Sequence, residues 1–421
     1  MGKKGHSRHW WENDFVSVLD NELFLGSHPA RALVEKHGTP LFVYGRGQIL
    51  SNFKKLEDAF AGRTGPEVRI CFAMKANPNP SILKLLRARG AWIDAVSPAE
   101  VQAALAAGFP ADKILFTGTS VGWKDILQAF RTRGLTVNID ALEQLELMKE
   151  AREQGFQKNE IRVSVRWNPG IGRGFNPKAV TAGAKSTDGT PIKFGVEESR
   201  VLEAFERARR YGFIPVGIHQ HLGSGWVRED FEAVKKAVDR MVEKASELER
   251  KGFSLEFLDF GGGFGPKYTR GQRLFPLNEY AGYIGKRVLE AGLKIRAIAV
   301  EPGKFLVGDA GAVLLSVEYM KESFGNLFAC VNGGTFNMVP RPAIYTQAHH
   351  EIINASRVAA RKKPPVTVAG HLCETGDVFG KERPMPLPQR GDILAVLCAG
   401  AYCRSMSSEF NMRKIPPEIL V

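Results

Sequence analysis

Short hydrophobic runs alternate along most of the chain with longer stretches in which apolar residues recur every three or four positions. The short runs are typical of buried strands, and the longer stretches are typical of amphipathic helices. The predicted strands lie at 68–74, 92–96, 114–117, 136–139, 161–167, 215–222, 255–260 and 295–300. The predicted helices lie at 81–88, 99–107, 142–154, 199–211, 231–251 and 277–291.

This order of elements predicts an α/β protein built on a (β/α)8, TIM-like barrel. Eight strands that alternate with helices over roughly 230–250 residues fit that fold, whereas an open doubly wound sheet more often has about five or six strands. Because ligands bind at the carboxyl ends of barrel strands, the residues that follow each strand are the first candidates for chemistry.

Beyond the eighth predicted strand the pattern changes to strand-like runs separated by loops rich in glycine, proline and charge. These runs lie at 312–318, 328–331, 367–369 and 393–397. They predict a second, mostly β domain, for which an early strand at 40–44 is a further candidate. We place the barrel at 47–304 and the β domain at 1–46 and 305–421. Residues 1–30 show no clear periodicity and predict a loose arm.

Composition narrows the class of protein. The chain has 421 residues, 44% of them hydrophobic, and a formal net charge of +13. The basic residues are scattered among acidic ones, which favours anionic substrates over nucleic acid. The five cysteines include no Cys-x-x-Cys pair, which argues against a disulfide framework or a zinc site. With no visible signal segment and no apolar run of membrane-spanning length, we expect a cytoplasmic protein.

Lys75 ends the first barrel strand, directly before a breaker-rich turn at 76–80. An amine at the carboxyl end of a buried strand lies where a barrel binds its ligand. Apolar surroundings lower the pKa of a lysine and leave its amine free to attack a carbonyl. A lone lysine at such a place more often only solvates the strand end, so its interpretation depends on its neighbours.

Glycine-rich turns follow the sixth and seventh predicted strands. Gly261, Gly262 and Gly263 offer backbone N–H groups without side chains, and Ser224 adds a hydroxyl, so these turns suit a phosphate. A glycine-rich turn alone is more often a tight connection. Its position after the seventh strand favours phosphate binding, because barrel phosphate sites commonly lie after strands seven and eight.

Two histidines and a glutamate complete this rim of the barrel. His219 and His221 share a face of their strand, but no carboxylate or cysteine accompanies them at ligand spacing, so we predict no metal site. His221 suits stacking on an aromatic cofactor. Glu301 ends an apolar strand and needs a cation, such as a protonated pyridine nitrogen. A lysine, phosphate-binding glycines and an inward carboxylate are the three contacts that pyridoxal phosphate requires.

In their order, these motifs resemble the fold-type III decarboxylases that depend on pyridoxal phosphate, and among them the diaminopimelate decarboxylases. The resemblance covers the chain from about Gly38 to its last residues and implies an alanine racemase-like barrel with a β domain. The matching motifs lie at 72–77, 94–100, 221–225, 261–265, 301–303, 341–345, 373–377, and 400–402 with 405–408.

For the barrel, the resemblance implies that Lys75 forms the Schiff base with the cofactor. It implies that His221 stacks on the cofactor ring and that Glu301 faces the pyridine nitrogen. The implied phosphate ligands are Ser224, Gly261, Gly262, Gly263 and, from the second domain, Tyr402.

For the second domain, the resemblance implies substrate contacts. Arg341 and Tyr345 would hold the distal carboxylate of the substrate, with Tyr402 close to it. Cys373 as proton donor and Glu374 toward the distal amine would enter the active site of a neighbouring subunit, which implies a homodimer with shared active sites. The implied reaction converts meso-diaminopimelate to L-lysine and CO2, the last step of lysine biosynthesis.

Three departures from the family pattern leave alternatives open. Lys304 stands where the family usually has an arginine that contacts phosphate or substrate, and a lysine lacks the planar fork. The segment 331–337 differs in sequence, and the chain stops at 417–421, where family members usually continue. A related decarboxylase for another carboxylated diamino or amino-dicarboxylic acid is therefore one alternative. A non-catalytic homologue is another, against which Lys75, Glu301 and Cys373 argue.

Overall fold

A computed structural model describes residues 9–156, 160–360 and 362–421. The chain divides into two compact units. The β unit contains the chain up to Asn52, Pro266–Gln272 and Phe305–Val421, and the barrel unit contains Phe53–Gly265 and Arg273–Lys304. No helix within the described residues combines the length and apolar character needed to cross a membrane.

The strands and helices are numbered in chain order. The strands are β1 Val16–Leu19, β2 Glu22–Leu25, β3 His28–Pro29, β4 Leu41–Tyr44, β5 Glu67–Ala73, β6 Trp92–Ala95, β7 Ile114–Phe116, β8 Thr136–Ile139, β9 Arg162–Asn168, β10 Val196–Glu197, β11 Ile214–His219, β12 Phe257–Asp259, β13 Ala297–Val300, β14 Gly311–Ser323, β15 Asn326–Val331, β16 Ile352–Asn354, β17 Pro365–Ala369, β18 Val378–Pro384, β19 Ile393–Val396 and β20 Glu418–Leu420. The α-helices are α1 Ala30–His37, α2 Arg46–Phe60, α3 Pro80–Ala88, α4 Pro98–Ala106, α5 Trp123–Arg131, α6 Leu142–Glu153, α7 Val201–Arg210, α8 Phe231–Arg250, α9 Leu277–Glu290, α10 Lys304–Val307, α11 Thr335–Met338 and α12 Arg341–Ile344.

The eight predicted barrel strands form a closed parallel sheet in the order β5-β6-β7-β8-β9-β11-β12-β13, with β13 paired to β5. Strands buried on both faces read as continuous apolar runs, which is why the sequence pattern was clear. Small and bulky side chains fill part of the interior together. They are Cys71, Leu115, Val216, Phe257, Ala297 and Ala299. The prediction of a barrel is confirmed.

The register of the barrel strands brings polar residues to one level. Asp94 pairs with Ala73 across β5 and β6. His219 pairs with Arg166 on one side and with Asp259 on the other. Because parallel strands in register present their carboxyl ends together, these side chains belong to one rim.

Side-chain caps begin the two helices that follow β5 and β6. The Asn79 side chain accepts a hydrogen bond from the Ser81 N–H at the start of α3, and Ser97 accepts one from Glu100 N–H in α4. The Glu100 carboxylate in turn accepts the Val96 N–H at 2.7 Å. Such caps fix where a strand gives way to a helix, and so they fix the site loops between them.

In the β unit, a sheet runs in the order β16-β19-β14-β15-β17-β18, with β4 and β20 attached through β14. The long strand β14 pairs with β4 and β19 through its first half and with β15 through its second half. The early strand β4 is therefore part of the same sheet as β14. The last strand, β20, pairs in parallel with β4.

The prediction of a loose arm over residues 1–30 is wrong for the described part, while residues 1–8 lie outside it. β1 and β2 form an antiparallel hairpin joined by Asp20 and Asn21, whose φ angles are 48° and 65°. Two left-handed residues between short strands are the mark of a type I′ turn, which Asp and Asn tolerate. Phe15 and Leu23 on this hairpin are buried in the core of the β unit.

Candidate active site

Lys75 follows β5 within a short 3₁₀ helix at Met74–Ala76. Its Nζ lies 2.5 Å from Asp94 Oδ2 at the end of β6. Burial is the largest influence on the Asp94 carboxyl and raises its pKa; the charge of Glu301 raises it further, and Lys75 opposes both. The ion pair holds the amine at the rim, where Lys75 is partly exposed while Asp94 is fully buried.

Deeper in the barrel, Glu301 meets His219. Glu301 Oε2 lies 3.2 Å from His219 Nε2, and both side chains are buried. Burial alone would raise the pKa of Glu301, but His219 and Lys75 lower it to about 2, so the carboxylate is ionised. The neighbouring Asp259 responds in the opposite direction, because burial and the charge of Glu301 raise its pKa well above the usual range.

These three residues also offer one ligand atom each within 4.8 Å of one another. Because these three atoms could bind a metal ion, the expected absence of a metal site remains a prediction. Among the described residues, Glu301 Oε1 and His219 Nδ1 are buried without a hydrogen-bond partner. A buried, ionised carboxylate oxygen that lacks a donor is what a protonated pyridine nitrogen needs. The residues at this depth therefore fit pyridoxal phosphate.

His221 lies at the rim beside a loop residue that the sequence analysis missed. His221 Nδ1 is 2.8 Å from Thr181 Oγ, and that hydroxyl lies 2.9 Å from the His221 carbonyl oxygen. The hydroxyl donates to the carbonyl and can accept from the ring, which places the imidazole proton on Nδ1. Burial lowers the pKa of His221 to about 3, so the ring is neutral and flat, as stacking on an aromatic cofactor requires.

The glycine turn after β12 approaches its neighbours too closely for side chains. A Cβ on Gly262 would lie 2.1 Å from the Glu301 carbonyl oxygen, and one on Gly263 would lie 2.1 Å from the Trp226 ring. The Gly261 N–H already donates to Asp259 Oδ1 at 2.9 Å. Of the three glycines in this turn, Gly262 and Gly263 are therefore the candidates whose N–H groups would bind a phosphate.

Replacing Gly262 with alanine should weaken cofactor binding by at least about tenfold and lower the melting temperature. The new methyl group meets backbone at the end of β13, which cannot rotate away, and such overpacking costs about 1–3 kcal/mol. Titration of the apoenzyme with pyridoxal phosphate and a thermal melt measure both effects. Gly282→Ala in α9 is the matched control, because a Cβ there meets nothing within 4 Å. Equal behaviour of the two variants would contradict the assignment.

Two further cations belong to the barrel unit. Lys304 is buried, and its Nζ lies 4.1 Å from the centre of the Phe175 ring. Arg166 lies 3.6 Å from Asp140 and stacks on Phe194 at 4.5 Å. Arg166 shares its strand level with His219, so its place at the rim follows from the parallel register.

The remaining candidates lie on the β unit. Arg341 is buried, with its NH1 3.0 Å from His350 Nε2. Cys373 is exposed, and its N–H donates to Asn411 Oδ1 at 2.8 Å. Tyr345, Glu374 and Tyr402 lie on the same unit; Glu374 is exposed and Tyr402 has a left-handed φ of 54°. The structure thus groups the predicted residues in two sets, one on each unit.

Asp377 fixes the loop that carries Cys373 and Glu374. Its Oδ1 accepts the N–H and hydroxyl of Thr335 at 2.6 and 2.8 Å, and its Oδ2 accepts the Leu372 N–H at 2.7 Å. The unusual segment 331–337 therefore has a structural function, because Thr335 anchors this loop. The sequence pattern marked the segment as a departure but gave no sign of this contact.

The chain resembles known proteins in both sequence and fold. Residues 46–308 match the family model "Pyridoxal-dependent decarboxylase, pyridoxal binding domain". The chain is 39% identical to a diaminopimelate decarboxylase from Methanothermobacter thermautotrophicus, over 96% of this chain and 92% of the relative. A crystal structure of diaminopimelate decarboxylase from Helicobacter pylori complexed with L-lysine is 32% identical. It matches with a TM-score of 0.84 over 93% of each chain. A diaminopimelate decarboxylase structure from M. jannaschii, also with L-lysine, is 31% identical; it gives a TM-score of 0.86 over 97% of this chain and 93% of that one.

Proposed function

Since the chain belongs to the pyridoxal-dependent decarboxylases, we propose that it is a diaminopimelate decarboxylase, which removes CO2 from meso-diaminopimelate and releases L-lysine. This reaction is the last step of lysine biosynthesis. The observation that carries the proposal is the buried, ionised Glu301 within the barrel that also presents Lys75. The curated relatives and the L-lysine complexes support the choice of substrate.

Pyridoxal phosphate, when bound, accepts the electron pair that the broken carbon–carbon bond leaves behind. Lys75 Nζ would hold the cofactor covalently, with Asp94 beside it as an acid of opposite charge. The Glu301 carboxylate would keep a proton on the pyridine nitrogen, and the neutral His221 ring would pack on the cofactor ring. Ser224, Gly262, Gly263 and Tyr402 would bind the phosphate.

The substrate contacts come from cations and polar groups. Arg341 and Tyr345 bind the distal carboxylate, and Glu374 binds the distal amine. Lys304 supplies a further positive charge for the carboxylates of the substrate. Cys373 Sγ gives a proton to the carbon that has lost CO2, so that one proton enters the product for each CO2 released.

We further propose a homodimer in the cytoplasm. Residues 47–304 form its cofactor-binding domain, and residues 1–46 and 305–421 form the domain at its interface. In this assembly, Cys373 and Glu374 of one chain act in the active site of the other. The exposure of both residues in the single chain supports such a role.

Purified protein supplied with pyridoxal phosphate should release CO2 from meso-diaminopimelate and form L-lysine in equal amounts. The cofactor fit and the family both require this result, which coupled CO2 detection and amino-acid analysis measure. L,L-diaminopimelate, which lacks the D-configured centre, serves as the stereochemical control. Failure to form L-lysine from the meso compound would contradict the proposal.

Lys304 favours one second candidate, a decarboxylase of the same family with another substrate. A lysine held over Phe175 cannot grip a carboxylate with two parallel hydrogen bonds as an arginine does. A panel that includes L-ornithine, L-lysine and 2-aminoadipate separates the two candidates. Faster turnover of any of these than of meso-diaminopimelate would favour the second.

A further inference from the structure

Arg341 belongs to a cluster of three side chains within the β unit. Its NH1 lies 3.0 Å from His350 Nε2, and its guanidinium carbon lies 4.5 Å from the centre of the Tyr268 ring. Tyr268 and His350 meet edge to face, with ring centroids 5.9 Å apart and an interplanar angle of 81°. Each of the three side chains therefore contacts the other two.

The hydrogen bonds of His350 determine which of its nitrogens carries the proton. His350 Nδ1 lies 2.9 Å from the carbonyl oxygen of Leu397, which can only accept, so the proton lies on Nδ1. Nε2 then carries a lone pair and accepts a hydrogen bond from Arg341. Burial, followed by the charge of Arg341, lowers the pKa of His350 well below its ordinary value, so the ring stays neutral.

Backbone contacts fix both partners of Arg341. Leu397 directly follows β19, and its N–H donates to the Glu351 carbonyl oxygen at 2.8 Å, so the backbone that carries the acceptor for His350 Nδ1 is held at the end of a sheet strand. The Tyr268 N–H donates to Gln272 Oε1 at 2.8 Å, which closes the turn that carries the ring. The His350 ring cannot rotate without breaking its hydrogen bond to Leu397, and the turn at Tyr268 places that ring beside Arg341.

We propose that His350 and Tyr268 are positioning residues that set the direction of the Arg341 guanidinium and thereby determine the preference for a substrate with a distal carboxylate. The Tyr268 face fixes the plane of the guanidinium, and His350 fixes its rotation within that plane. Binding of a carboxylate by the planar fork depends on both, and a group oriented in advance loses less entropy on binding. The inference rests on the proposed function, in which Arg341 binds that carboxylate.

The proposal is tested by calorimetry, which measures how tightly the holoenzyme binds two ligands. L-lysine keeps the distal carboxylate, whereas 1,5-diaminopentane has the same amines and chain without it. His350→Phe keeps a ring but removes the acceptor, and it should weaken L-lysine binding on the order of tenfold. Binding of 1,5-diaminopentane should stay within about twofold. For meso-diaminopimelate, KM should rise while kcat changes little, because the distal carboxylate does not react.

Conservative variants separate positioning from a merely structural role. His350→Gln keeps an oxygen acceptor toward Arg341 and should recover most of the L-lysine affinity. Tyr268→Phe keeps the aromatic face and should bind L-lysine normally, whereas Tyr268→Leu should weaken it. His349→Phe is the matched control, because the His349 ring contacts Arg383 at 3.0 and 3.1 Å.

Each outcome supports the proposal or overturns it. Selective loss of L-lysine binding in His350→Phe and Tyr268→Leu supports it. The proposal is overturned if both variants lose affinity for L-lysine and for 1,5-diaminopentane equally. It is also overturned if both variants bind L-lysine with unchanged affinity. Should one variant fail to fold, the other carries the test. If the unsubstituted enzyme neither binds L-lysine nor decarboxylates meso-diaminopimelate, the proposed function fails before any variant is made, and the positioning role falls with it.

Discussion

Lys75→Ala should reduce decarboxylation on the order of 10³-fold or more, because the substitution removes the nitrogen that we propose holds the cofactor covalently. It also leaves Asp94 buried at the end of β6 without the cation 2.5 Å away. Borohydride reduction followed by peptide mass analysis should place the cofactor on Lys75 in the natural enzyme and nowhere in the variant. Initial rates of CO2 release measure the loss.

Lys84→Ala is the control for this substitution. Lys84 is an exposed residue of α3, only nine positions along the chain, and it should be replaceable without loss of activity. A Lys75→Ala enzyme that retained a tenth of the natural rate would contradict the role of Lys75 in holding the cofactor.

The same variant tests the proposed homodimer and its shared active sites. If each site takes Lys75 from one chain and Cys373 from the other, a mixture of Lys75→Ala and Cys373→Ala chains forms dimers with one intact site. Random exchange should then restore roughly a quarter of the natural activity. Two inactive variants that stay inactive after verified subunit exchange would show that each chain completes its own site.

The barrel could be predicted because its physical requirement is simple. A strand buried on both faces is mostly apolar, as in β7 and β13, so both its presence and its end are visible in the sequence. The hairpin of β1 and β2 was missed because its strands are four residues long, too short for an alternation to stand out. The sequence feature that marks this hairpin is Asp20-Asn21. It is recognised as a tight turn only from the left-handed φ angles of the two residues.

For the candidate site, the sequence indicated residues at strand ends but not their partners. Glu301 was predicted to need a cation, and in the structure His219 Nε2 contacts one of its carboxylate oxygens. The contact of Thr181 with His221, and that of His350 with Arg341, join residues on loops or in the one-turn helix α12, where no periodicity marks them. Such contacts depend on the path of the folded chain, which hydrophobic patterns do not encode.

Glu301→Gln should lower kcat about 10²- to 10³-fold while the cofactor stays bound. The pKa of Glu301 is lowered to about 2, so the natural side chain is negative throughout the neutral range and would stabilise a proton on the pyridine nitrogen. A glutamine has the same shape and can keep the contact with His219, but it carries no charge. Pre-steady-state measurement of CO2 release, together with titration of bound cofactor, separates the chemical step from binding.

Asp259→Asn is the matched control, because the pKa values of the two carboxyls of this cluster shift in opposite directions. Burial and the charge of Glu301 raise the pKa of Asp259, so its carboxyl holds a proton more readily than that of Glu301, and an amide changes its charge less. The amide oxygen can still accept the Gly261 N–H. Asp259→Asn should therefore cost far less activity than Glu301→Gln. Equal losses would mean that the shape of the cluster, rather than the charge on Glu301, supports the reaction.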